Sequence, residues 1–557
     1  MKLSVSAGRK LKYGGTSVAL TALVLALVII VNVFFAMLVQ RYSWYVDLTP
    51  DLHFTISDEC YELIGGSGEK TPIKMLDKFR AENKEYNKAN GLTSSSEGYR
   101  DENVKVTILF GMERDKILGD QTMEYVLRNA DELAAKYKDY ITVETKDMVK
   151  NPSRFKKYLS SNTETIPNDS VIIECGSEYR IRSLRSFYLF DKTSGEPVAY
   201  NGEKAFAASI LAVTRAEVPL ACYTINHGEH FPDQEKDDEG NITSAPFLEV
   251  LEDAGYRVQP IDLLTEEIPE TCRLLITFDP TSDFVDDKDP VSGKSELDKL
   301  DDYLAKAKAF MVFRSPTPYE GTKKFEILED FLGEWGLEFK RDSNGEPFKV
   351  HDEKESIGGW TNVIGNYVDS GVASGWNASL TSGEGSNPYV VFSDSVAIGY
   401  AEGYPLGYSS TYKRQVYDLF TSSKNAYAMA SDKEAAKATE KDPFKLMAVS
   451  AEKYSTQVDD RGSSSDAFAY VMLSGSTEFA SRDNLEDYAN DDFLLSAFQL
   501  AGQEPVPVGL DYKRFANYEI TAIKDSEATQ YMMVLTLVPV LISLCAGVFV
   551  IVRRKNR

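Results

Sequence analysis

Pro219-Leu220-Ala221-Cys222-Tyr223-Thr224-Ile225-Asn226-His227-Gly228-Glu229-His230 is the stretch that decides the fold class of this 557-residue chain. Its apolar run, Leu220 to Ile225, lies between a proline and a polar, glycine-containing turn, the pattern of a strand buried on both faces. The theme then repeats. Pro246 to Ala254 has helical spacing and stops at Gly255, Arg257 to Pro260 is a short strand, and Leu274 to Phe278 is another. Ser295 to Ala309 is a helix opened by a Ser295/Asp298 capping pair, Phe310 to Phe313 a strand, and Phe325 to Trp335 a helix stopped by Gly336. Strands alternating with helices at this spacing predict an α/β domain with a mostly parallel sheet covered on both faces. We place that domain at residues 219–515, with a Gly/Ser-rich insertion near 356–386 around Trp360 and Trp376. Phe444 to Ala451 and Tyr470 to Gly475 read as strands and Asp491 to Ala501 as a helix, closing the same sheet, while Lys433 to Asp442 and Tyr454 to Asp466 read as polar and exposed.

Upstream, a smaller α/β unit occupies residues 47–200. Val104 to Phe110 and Ile141 to Thr145 have strand character, and Thr122 to Tyr137 between them places Tyr125, Val126, Leu133 and Ala134 on one helical face, making a βαβ unit. Pro152 to Leu159, Ser170 to Cys175 and Tyr179 to Leu189 complete a pattern that suits a thioredoxin-like fold. Gly111-Met112-Glu113-Arg114 stands where a Cys-x-x-Cys pair would follow the first strand, which argues against redox catalysis. Residues 201–218 read as a linking helix.

Both ends carry long apolar runs, at 16–39 and 531–552, each long enough to cross roughly 30 Å of hydrocarbon as a helix. Lys2, Arg9, Lys10 and Lys12 precede the first and Arg553, Arg554, Lys555 and Arg557 follow the second. These flanks predict a two-span cell-membrane protein with a cytoplasmic N-terminus (1–15), a basic cytoplasmic tail (553–557) and an extracytoplasmic bulk. Neither run contains an ionisable residue, so the spans read as anchors and not as a transport path. The formal net charge of −25 repels nucleic acid, so no nucleic-acid partner is expected. Five scattered cysteines without Cys-x-x-Cys spacing indicate neither a disulfide scaffold nor a zinc site, and no cofactor is expected.

Several segments, in order, carry a family resemblance: Asp47-Leu48-Thr49-Pro50 with Ile56-Ser57-Asp58, Asn201-Gly202-Glu203-Lys204-Ala205, Asn226-His227-Gly228-Glu229, and Leu473-Ser474-Gly475-Ser476-Thr477-Glu478-Phe479 followed by Asn490-Asp491-Asp492-Phe493. With the Pro539-containing apolar run at the end, the chain resembles the Gldg-family auxiliary proteins associated with ABC transporters, some of which belong to gliding-motility systems. The resemblance implies a non-catalytic ectodomain with a Rossmann-like or amidotransferase-like sheet, working beside a separate ABC permease and ATPase. Asn226 replaces the first glycine of the family's Gly-His-Gly-Glu, and Ser476-Thr477-Glu478 replaces its Asp-Ser-Asp. No Walker A loop is present in the sequence, so any ATP hydrolysis belongs to another subunit.

The candidate ligand or partner site is His227, Gly228, Glu229 and His230, joined by Asp279, Ser476 and Glu478. The first four follow a strand of a parallel sheet, where open α/β folds bind ligands. Two imidazoles flanking a carboxylate can hold a divalent metal or move a proton, which leaves a metal-dependent or hydrolytic enzyme as an alternative. The plainer alternative is a turn that reverses the chain, since His-x-x-His in a loop is less specific than His-Glu-x-x-His on a helix. No Gly-x-Ser-x-Gly or Gly-x-Cys-x-Gly elbow occurs, so no catalytic nucleophile is assigned, and a structural envelope or motility component is a further alternative. Asp279, Asp283, Asp286, Asp287 and Asp289 lack the EF-hand spacing and read as a solvated acidic loop.

Overall fold

Two helices, Asp58–Gly65 (α1) and Pro72–Ala89 (α2), precede a four-stranded sheet of Val106–Phe110 (β1), Ile141–Thr145 (β2), Val171–Cys175 (β3) and Glu178–Arg182 (β4). Its order is β2-β1-β3-β4, with β1 parallel to β2 and the other pairs antiparallel. Gln121–Lys136 (α3) makes the connection between the parallel strands, and Asp120 caps it by accepting from the Thr122 and Met123 amides. The computed structural model describes residues 23, 26–34, 55–159, 166–190, 196–237, 240–316, 324–381, 387–404, 413–431, 433–458, 464–510 and 512–515. All but the last two lie in one unit, Met1–Lys513; a second, Arg514–Arg557, is described only at 514 and 515.

Gly202–Thr214 (α4) is more than the linker its position suggests: all thirteen of its residues are buried. A helix apolar on every side, as Phe206-Ala207-Ala208-Ser209-Ile210-Leu211 is, belongs inside a protein. It packs against α1, α2, α3, β1, β3 and β4, and also reaches Pro246–Asp253 (α5). Its two charges do not go unpaired. Glu203 accepts from the Ser57 amide at 3.0 Å and pairs with Lys513, and Lys204 reaches Asp491 at 2.6 Å and Asp492 at 3.3 Å.

The second sheet has ten strands among the described residues. Leu220–Thr224 (β5), Arg257–Ile261 (β6), Cys272–Phe278 (β7) and Ala309–Phe313 (β8) are joined by Leu337–Phe339 (β9), Ile398–Tyr400 (β10), Arg414–Thr421 (β11), Lys445–Val458 (β12) and Ser464–Ser474 (β13), and by the two-residue strand Asn366–Tyr367, which pairs antiparallel with β11. The main path runs β6-β5-β7-β8-β13-β12-β10-β9. From β6 to β13 every pairing is parallel, whereas β12 is antiparallel to β13, β11 and β10, and β10 to β9. The sheet is therefore mixed and not mostly parallel. The β12–β13 hairpin includes residues 454–458 and 464–466, which the sequence marks as polar and exposed. Lys433–Lys437 is likewise a strand, with a solvent-facing pattern that hides it from hydrophobic periodicity. The 356–386 insertion holds short strands at Asn362–Ile364 and Asn366–Tyr367 and a helical turn at Val372–Trp376, which buries Trp376 completely.

Helices cover both faces of this sheet. On one, Phe247 and Leu251 of α5 and Phe493, Leu494 and Phe498 of Asn490–Gly502 (α8) pack over Phe278, Phe313 and Met472. On the other, Leu300 and Leu304 of Glu296–Leu304 (α6) and Leu328 and Leu332 of Glu326–Glu334 (α7) pack over Leu275, Phe310 and Val471.

The two-span arrangement expected from the sequence is corrected here. Among the described residues no helix is long and apolar enough to cross a membrane. Of the 16–39 run, residue 23 and residues 26–34 are described, as helix, and the rest lies outside the described residues. The 531–552 run, the flanks 1–15 and 553–557, and Asp47-Leu48-Thr49-Pro50 lie outside the described residues. The fold is accordingly described as mixed α/β, and the transmembrane frame and cell-membrane localisation are withdrawn.

Candidate functional site

In the parallel half, β6 lies to one side of β5 and β7 to the other, so the connections leaving β5 and β7 diverge at their carboxyl ends. That divergence is the switch point at which doubly wound sheets open a ligand crevice. Two loops meet there, 225–231 after β5 and 279–285 after β7. They fill the crevice with each other. The Thr281 and Ser282 amides donate to the His227 carbonyl at 2.8 and 2.9 Å, and the His230 amide donates to the Phe278 carbonyl at 3.1 Å. Asn226 and Gly228 both have positive φ, 82° and 74°, which bends the chain tightly enough for this contact. A Cβ on Gly228 would stand 2.0 Å from Thr281 Oγ1.

His227 is buried at the centre. Its Nδ1 faces Glu229 Oε1 at 3.2 Å and its Nε2 faces Glu296 Oε2 at 3.1 Å, while its ring packs on Phe284 with centroids 4.5 Å apart. Both carboxylates are themselves fixed, Glu229 by the His227 amide at 2.9 Å and Glu296 by the Val285 amide at 2.6 Å. Burial opposes charge on the ring, but the hydrogen bonds and charges of Glu229 and Glu296 outweigh it and lift the histidine to about 9. Glu229 shows the converse: burial raises it, and the bonds from His227 and Thr224 more than offset that, leaving its pKa lowered. Only an imidazolium can donate from both nitrogens, so His227 is a charged link between two carboxylates with no lone pair to offer a metal or a proton.

The other predicted residues do not join it. His230 is exposed, so the two imidazoles part. Asp279 has φ 44° and its amide donates to the Phe313 carbonyl at 2.8 Å, making it the corner residue after β7. Ser476 is buried, donating to the Ser393 carbonyl at 2.5 Å and accepting from the Phe479 amide at 3.1 Å, which opens the turn after β13. Glu478 lies at the surface, where partial burial of its carboxyl and then the charges of Asp233 and Asp394 raise its pKa. No group of three or more His, Cys, Asp or Glu residues among those described can hold a metal ion. The acidic loop is internally employed: Asp283 accepts from the Ile327 and Leu328 amides at 2.9 and 3.0 Å at the start of α7, and Asp289 accepts from Val291 at 2.9 Å.

Glu296 is the residue that sequence reasoning missed. It sits one position inside the recognised Ser295/Asp298 capping box, where an acidic residue reads as helix-dipole complement, and only the fold brings it to His227.

No family model matches the chain, and no curated protein matches it. Two solved structures are similar to about half of it. One, titled mmIFT52 N-terminal domain, has 12% identity and a TM-score of 0.33 over 52% of this chain and 99% of that one. The other, the structure of PurLQS from Thermotoga maritima, has 10% identity and a TM-score of 0.24 over 51% of this chain and 98% of that one. Likeness at these scores carries no functional argument. The protein is mixed α/β, and its switch-point crevice is occupied by its own side chains.

Proposed function

We propose that the chain is a non-catalytic binding or docking subunit of an ABC-type transport or envelope complex, working beside a separate permease and ATPase. The observation that supports the non-catalytic half is the filled switch point, where His227 has both ring nitrogens committed to Glu229 and Glu296. A hydrolase or metal-dependent enzyme using His227, Glu229 and His230 would need one of those nitrogens free. The ABC-type half rests on the ordered segment resemblance. Affinity purification of the tagged chain from detergent extracts of its native cells, followed by mass spectrometry, tests it. Recovery of a permease and an ATPase in constant ratio is the expected result. A chain that returns alone, or with neither subunit, overturns it.

A further inference from the structure

At the opposite, amino edge of the parallel strands lies a concavity with a volume of about 450 Å³. Its walls come from the start of α2, the end of α4, the residues entering β5 and β7, and the residues after α8. Four cations line it, Lys70, Lys78, Arg215 and Arg273, in a chain whose net charge is −25. Met75, Val218, Pro219 and Pro505 supply an apolar wall beside them.

The charges here are incompletely matched. Glu69, Glu217 and Glu504 also line the space, Glu504 is taken by Lys70 at 3.0 Å, and Lys78 lies 3.9 Å from Glu82, which leaves Arg215 and Arg273 as the lining cations without an ion pair among the described residues. Arg215 spends its terminal nitrogens on backbone carbonyls, Gly255 at 2.6 Å and Ala254 at 3.2 Å, and also on Pro505, none of which cancels its charge. Its Nε is buried with no acceptor. Burial pulls this guanidinium below its ordinary value, and Arg180 adds to that, against Tyr256 and Glu504. Arg273 forms no ion pair or hydrogen bond among the described residues, and the pKa of Lys308 is lowered by burial and then by the Arg273 charge. A half-buried guanidinium that forms no ion pair is costly, and a carboxylate entering the concavity would supply one.

We infer that this concavity binds an organic anion with an apolar body, its carboxylate on Arg215 and Arg273 and its hydrocarbon against Val218 and Pro505. The inference goes beyond the docking role and stands or falls separately from it, because its test involves the purified chain alone.

The full chain is titrated with hexanoate by calorimetry and thermal unfolding, with acetate, hexylamine and inorganic phosphate in parallel arms. Saturable hexanoate binding that raises the melting temperature, with weaker binding of the other three probes, is expected. Arg273→Gln should weaken hexanoate binding by about tenfold, the loss of one charge-assisted contact, and Lys78→Gln, which removes only a nearby charge, by less, while circular dichroism stays unchanged in both. Absence of saturable hexanoate binding overturns the inference, as does equal binding of hexylamine or phosphate, or undiminished affinity in both variants.

Discussion

His227 shows how a single residue's surroundings convert a candidate catalytic group into a structural one. Its folded pKa of about 9 lies above the ordinary 6.5, so its contribution to stability is complete below pH 6.5 and is lost as pH rises through 9. Urea denaturation across that window should show falling stability in the parent chain and a flatter profile in His227→Gln. At pH 7, His227→Ala leaves Glu229 and Glu296 facing each other unpaired, and should cost roughly 3–5 kcal/mol by the same measurement. Gly228 makes a second residue-scale case. Gly228→Ala combines a left-handed backbone with a side chain driven onto Thr281, and should destabilise by about 1–3 kcal/mol, part of it recovered in a Gly228→Ala/Thr281→Ala double variant. The turn itself was legible, since asparagine and glycine two residues apart are the types that tolerate positive φ. Glu296 was not, because 69 residues separate it from His227 and no local pattern marks a contact made across the sheet.

Among elements, the helices and strands of the parallel half were readable because each carries its own periodicity and punctuation. Ser295 and Asp298 form the capping box their spacing suggests, both hydrogen bonds being present. The start of α7 has no such local signal. Its cap comes from Asp283, a residue in the loop after β7 that sequence alone reads as part of a solvated acidic run. Asp283→Ala should therefore remove about 1 kcal/mol of stability and speed amide exchange at Ile327 and Leu328, whereas Asp286→Ala should change neither. Exposed strands such as Lys433–Lys437 fail for a different reason: nothing apolar alternates along them, and only pairing with Tyr427–Ala430 makes them strands.

Over the whole molecule, Glu203 of the central helix holds together positions far apart in sequence, since it binds Ser57 and Lys513, and Lys513 also donates to the Thr55 carbonyl. Glu203→Gln should loosen this junction locally, seen as faster hydrogen exchange through Ser57–Gly65 with little change in the β7 and β8 amides; uniform acceleration would instead mean global destabilisation. By itself the sequence determined the α/β character, the position of the switch-point strand and the turn that follows it, because burial on both faces and backbone sign are written in consecutive residues. It also suggested membrane spans that no described helix is long and apolar enough to form. Only the tertiary structure decided that the parallel sheet continues into antiparallel strands, that α4 is core instead of linker, and that the crevice is filled. Those outcomes depend on which distant side chains meet, and pairing energies between Glu203 and Lys513 or His227 and Glu296 leave no trace in the local spacing of residues.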